Sequence, residues 1–134
     1  MMTILMSYML LGHVHYKQIT TDRLLDAIAI VESNGGTSSK NVYQLTPIYV
    51  RDVVRISRQR MTFAQATGSE ELARACIECY WDYYGKAYTR KTGRAPSAEV
   101  LVRIHNGGPD GWQKRSTVKY WRRVQEVLDK GDVK

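Results

Sequence analysis

Glu32 stands where an apolar run, Leu24, Leu25, Ile28 and Val31, meets the polar, glycine-rich stretch Ser33-Asn34-Gly35-Gly36. A carboxyl so placed can turn one side toward a packed interior and its oxygens toward an opening. Partial burial disfavours the charged form and raises a Glu pKa toward the value that a general acid needs near neutral pH. The same residue could equally end a helix on the surface, and its immediate neighbours leave both readings open.

Other residue types suggest chemistry more weakly. Cys76 and Cys79 are the two cysteines of the chain, three apart in a helical segment. That spacing suits a shared helix face better than a disulfide, and no second Cys or His pair follows to complete a zinc site. Packed helix cysteines are expected, with no metal and no cofactor. Tyr80, Trp81, Tyr83 and Tyr84 carry rings of the kind that stack on sugars or bases, but at spacings of three and four they more often fill a core.

The elements that must position these groups are mostly helical. Thr20, Thr21 and Asp22 are helix-start residues ahead of the Leu24 to Val31 periodicity, which predicts a buried helix ending at about Glu32. The stretch up to Asn41 suits a loop or short hairpin. Val42-Tyr43-Gln44-Leu45 reads as a strand-like run before Thr46-Pro47 opens another helix. Further helices are predicted after Ser69-Glu70-Glu71, after Pro96-Ser97 and after Ser116-Thr117. Lys86 to Arg94, with Gly93 ahead of Pro96, reads as a surface connection. The sum is four to six helices with a minor β element.

A chain of 134 residues falls within the roughly 100 to 200 typical of one domain, so a single domain over 1–134 is expected. Twenty Lys and Arg against 13 Asp and Glu favour an anionic partner, whether nucleic acid, an acidic membrane surface or a wall polymer. Met1 to Leu11 is apolar but lacks a basic flank and a small-residue cleavage site, and it is too short to span a bilayer. It is expected to pack, with a weak export signal as the alternative.

Several stretches together resemble the invertebrate-type (destabilase) lysozymes. They are Val31-Glu32-Ser33, Tyr43-Gln44-Leu45, Tyr49 with Asp52, Arg103-Ile104-His105-Asn106-Gly107-Gly108-Pro109 with Gly111, Ser116-Thr117-Val118, Tyr120-Trp121 and Val124-Gln125. Order and spacing match over most of the chain after Ile28. Glu-Ser followed by Gln and Pro is also similar to goose-type lysozymes and soluble lytic transglycosylases.

The resemblance implies a mainly α (α+β), lysozyme-like fold, with several helices around a cleft and a small β-hairpin. It implies peptidoglycan as the partner, and Glu32 as the acid that protonates the glycosidic oxygen between N-acetylmuramic acid and N-acetylglucosamine. Gln44 and Tyr43 match a motif beside the cleft, where an amide and a phenol hydrogen-bond sugar groups. His105 and Asn106 stand at a helix end near the acid and are implied to orient it or touch substrate. Alternatively, Gly107, Gly108 and Pro109 simply end a helix, with Asn106 as its cap.

Two departures bear on mechanism. The relatives place a catalytic Asp shortly after the Glu, whereas Ser33 to Val42 holds no acid. Asp52 is the candidate second carboxylate, but its place in a helix suits pairing with Arg51 or Arg55. The relatives also carry many disulfides. A chain with two cysteines suits folding in a reducing cytosol, which suggests manufacture in a bacterial cytoplasm and action on the wall or in the periplasm, including from a phage particle. The competing expectations are a non-catalytic glycan-binding or structural module, and a nucleic-acid binder using Lys114, Arg115, Lys119, Arg122 and Arg123. A monomeric enzyme without nucleic-acid partner or membrane insertion is preferred.

Overall fold

The structure, a computed structural model, describes residues 3–4, 19–33 and 41–131. β1 (Thr3–Ile4) pairs antiparallel with β2 (Ile19–Thr20), Thr3 opposite Thr20. Among the described residues six α-helices follow: α1 (Thr21–Glu32), α2 (Pro47–Ser57), α3 (Phe63–Gly68), α4 (Glu70–Thr92), α5 (Ala98–Gly107) and α6 (Val118–Gly131). Two 3-10 turns, Gly111–Gln113 and Arg115–Thr117, join α5 to α6.

Side-chain caps set the helix starts. The hydroxyls of Thr20, Thr46, Thr62, Ser69 and Ser97 accept from the backbone N–H groups of Arg23, Tyr49, Gln65, Leu72 and Val100, satisfying donors that a first turn leaves unpaired. Pro47 sits at the start of α2, where its missing N–H costs nothing. α4 is the central helix, packed against α2, α3 and α5, while α1 packs along α6. Leu24, Leu25 and Ile28 of α1, Ile77 and Trp81 of α4, Leu101 and Ile104 of α5 and Val124 of α6 are wholly enclosed. Each such side chain contributes about 1.5–3 kcal/mol on burial.

Three expectations change, and one helix is added. Val42-Tyr43-Gln44-Leu45 is a turn rather than a strand, because the Asn41 side chain clips Leu45 from both sides: Leu45 N–H donates to Asn41 Oδ1 (2.9 Å) and Asn41 Nδ2 donates to Leu45 O (2.8 Å). Lys86 to Thr92 is the end of α4 and not a connection. Tyr88 is buried against Trp112, Lys86 pairs with Asp82 one turn back, and the helix stops only at Gly93, whose φ of 73° closes it. Asn106 lies inside α5, and the cap falls on Gly108 (φ 88°). α3 was not anticipated; Thr62 and Gln65 form its reciprocal capping box.

The expected hairpin after Ser33, on residues 34–40, and the apolar Met1 to Leu11 segment lie outside the described residues, apart from the pairing of Thr3–Ile4. Cys76 and Cys79 both lie on α4 and are unbridged, with Cys76 Sγ 3.5 Å from Met61 Sδ. No helix of the described residues is long and apolar enough to cross a membrane.

Candidate active site

Glu32 is the last residue of α1. It lies four residues after the enclosed Ile28, so it shares the buried edge of the helix and is itself partly buried. At a helix C-terminus with no basic residue in the last turn it also meets the negative end of the helix dipole. Burial pushes the Glu32 carboxyl above the ordinary carboxylate range, and two groups of α6, the Tyr120 hydroxyl and the Arg123 guanidinium, act in the opposite direction without cancelling it.

One of the two α6 groups is anchored to α1. Arg123 donates to the Val31 carbonyl at 3.3 Å, which keeps its charge next to the end of α1. The Tyr120 hydroxyl is buried and completes no hydrogen bond of normal geometry, yet it is close enough to Glu32 for each to perturb the other. An unpaired buried hydroxyl is costly, and the Glu32 carboxyl is the acceptor beside it.

Glu32 opens on a cleft of about 620 Å³. Gln44, Asp52, His105 and Asn106 line the same cleft, so five of the six residues singled out in the sequence meet there. Gln44 is exposed and adopts φ 54°, a left-handed conformation uncommon outside glycine. Two features hold it: its N–H donates to Asn41 O at 3.0 Å, and the Asn41 clip fixes the next residue. Asn106 is exposed on the last turn of α5, and its amide has no hydrogen-bond partner among the described residues.

His105 is buried and both ring nitrogens are engaged. Its Nε2 faces the Tyr43 carbonyl at 3.1 Å and its Nδ1 the Tyr49 hydroxyl at 3.2 Å. A carbonyl oxygen only accepts, so Nε2 carries the proton and Tyr49 donates to Nδ1. Burial pushes the His105 pKa down to about 4, so the ring is neutral at physiological pH. It braces the cleft wall and does not supply a proton.

Asp52 is tied down as the helical spacing suggested, to Arg55 and not Arg51. Arg55 Nε donates to Oδ1 at 3.0 Å and Nη2 at 2.6 Å, while the Tyr84 hydroxyl donates to Oδ2. Tyr43 is placed elsewhere. Its ring is enclosed, and its hydroxyl accepts from Arg74 Nε (2.6 Å) and donates to Glu70 Oε1 (3.1 Å), in a separate pocket that Glu32 does not line. Its backbone carbonyl, not its phenol, serves the cleft.

Four residues to which the sequence assigned no role at the cleft belong to it. Tyr120 and Arg123 reach Glu32, although their i, i+3 spacing on α6 could have shown that both face one neighbour. Tyr49 lines the cleft and stacks on Tyr80 with ring centroids 3.9 Å apart. Ile48 stands at the lip with 73% of its surface exposed, an apolar contact left open to a ligand.

No family model matches the chain. It is 29% identical to the lysozyme of Meretrix lusoria over 118 residues, 81% of this chain and 91% of that protein. It is 30% identical to invertebrate-type lysozyme 6 of Caenorhabditis elegans over 67% of each chain. A shorter stretch of 50 residues, 37% of this chain, is 44% identical to lysozyme 1 of Crassostrea virginica and spans 25% of that protein. In the crystal structure of Aeromonas hydrophila PliI in complex with Meretrix lusoria lysozyme, one chain matches with a TM-score of 0.62 and 29% identity over 78% of this chain and 88% of that one. The chain belongs to the invertebrate-type lysozyme family. These relatives are animal proteins, and the bacterial or bacteriophage origin expected from the cysteine content finds no support among them.

Proposed function

We propose that this protein is a muramidase, a glycoside hydrolase that cleaves peptidoglycan between N-acetylmuramic acid and N-acetylglucosamine, with Glu32 as general acid. The observation that carries the reading is the partly buried Glu32 carboxyl, held above the ordinary carboxylate range at the mouth of the cleft. Protonated, Glu32 gives its proton to the glycosidic oxygen as the bond to the sugar breaks. As a carboxylate, it then takes a proton from the water that attacks the anomeric carbon, which restores the acid. Arg123 and the Tyr120 hydroxyl stabilise the carboxylate between the two steps.

The remaining cleft groups suit a sugar chain. Gln44 and Asn106 offer amides to hydroxyl and acetamido groups, and exposed Ile48 offers a surface for an apolar sugar face. Wild type and Glu32→Gln incubated with purified peptidoglycan test the reading through mass spectrometry of the soluble fragments. Reducing-end muropeptides from wild type alone are expected. Anhydro ends would assign the second step to the sugar's own 6-hydroxyl, and no release by wild type from several wall types would leave a glycan-binding module.

A further inference from the structure

A second concavity of about 370 Å³ adjoins the cleft. Pro109 lines both, and Tyr84 connects them, since its hydroxyl binds Asp52 in the cleft while its ring lines the second groove. Tyr88 and Trp112 form the groove's aromatic floor, packed edge to face with centroids 4.9 Å apart. Trp112 is half-buried, so part of its ring faces solvent.

The rim is basic. Arg90 is exposed and has no ion-pair partner among the described residues. Lys91 reaches across to Asp110 at 3.5 Å, a pair of which both members are about two-thirds exposed and therefore weakly committed. A floor of rings beneath a guanidinium and an ammonium suits a ligand with short aliphatic groups and a carboxylate.

We propose that this groove binds the peptide stem carried by a muramic acid residue seated in the cleft. Arg90 and Lys91 take a stem carboxylate, while Trp112 and Tyr88 take its methyl and methylene groups. The stem supplies carboxylates beside the sugar chain, and the groove lies beside the cleft, one proline and one tyrosine away. The proposal rests on the muramidase reading, because it presumes muramic acid in the cleft.

Calorimetry in the Glu32→Gln background tests it without turnover. The probes are the disaccharide N-acetylglucosaminyl-N-acetylmuramic acid with and without an L-alanyl-D-isoglutamine stem. The stem is expected to tighten binding about tenfold, the range of one charge-assisted hydrogen bond. Adding Arg90→Glu removes that gain and leaves the stem-free disaccharide as before. The proposal is overturned if the stem adds nothing, or if Arg90→Glu weakens both probes equally or neither. Wild type that cleaves no peptidoglycan would defeat the muramidase reading while stem selectivity stayed readable; cleavage without that selectivity would defeat the groove alone.

Discussion

His105 Nε2 donates to the Tyr43 carbonyl at 3.1 Å across 62 positions of sequence, and this bond ties the end of α5 to the residue just before Gln44. The strained Gln44 turn and the α5 end that presents Asn106 are thereby fixed relative to each other. Both flank the cleft into which Glu32 opens.

The burial of His105 predicts an acid-sensitive fold, because desolvation disfavours the charged ring and the bond to the Tyr43 carbonyl, which acts the other way, does not cancel it. The His105 pKa falls from about 6.5 unfolded to about 4 folded, so the unfolded chain binds the extra proton first. Its contribution is present above pH 6.5 and is lost as pH falls through 4, in total about 3 kcal/mol. Melting temperature followed from pH 7 to 3.5 should fall more steeply in wild type than in His105→Gln. Parallel curves would contradict the assignment.

Glu32 carries the opposite sign. Its pKa is raised on folding, so the folded state binds the proton more tightly and stability declines as pH rises past the ordinary carboxylate range. Glu32→Gln should therefore melt above wild type at pH 7, with the difference vanishing in acid. A variant less stable than wild type at pH 7 would argue against a desolvated carboxyl.

Asp52 is engaged on both oxygens by Arg55 and Tyr84, which suits it to fixing the cleft wall more than to activating water. Asp52→Asn should keep wall cleavage within about tenfold of wild type, well short of the 10²-fold or more that loss of a general acid costs. A loss as large as that from Glu32→Gln would make Asp52 the second catalytic carboxylate.

Gly111 packs against the backbone of α5. A β-carbon there would lie 2.0 Å from the Arg103 carbonyl oxygen, a contact that no side-chain movement relieves. Gly111→Ala should cost at least about 3 kcal/mol in urea unfolding, the upper range for overpacking. A loss below 1 kcal/mol would mean that the 3-10 turn can lift off α5, which the bond from Thr117 Oγ1 to the Gly111 carbonyl opposes.

What the sequence disclosed follows the range of its signals. α1 and its end at Glu32 were legible because Thr20 caps the helix locally and Leu24, Leu25, Ile28 and Val31 repeat at its period. The Gln44 turn was not legible, because its shape comes from a side-chain clip by Asn41, positive φ at two non-glycine residues and a histidine far along the chain. The end of α4 was misread because Lys86, Arg90 and Lys91 resemble a surface connection, whereas Tyr88 packed on Trp112 keeps that segment helical. The roles of Tyr120 and Arg123 beside Glu32 were not legible, because they depend on α6 lying along α1.

Proton donation by Glu32 sets how turnover depends on pH. The most direct measurement is kcat/KM against pH for wild type and Glu32→Gln on a defined peptidoglycan oligosaccharide. Wild type should lose activity as pH rises through a pKa above the usual carboxylate range, and Glu32→Gln should be slower by about 10² or more below that pKa and lack the descending limb. A Glu32→Gln enzyme within a few-fold of wild type, with the same descending limb, would contradict the account.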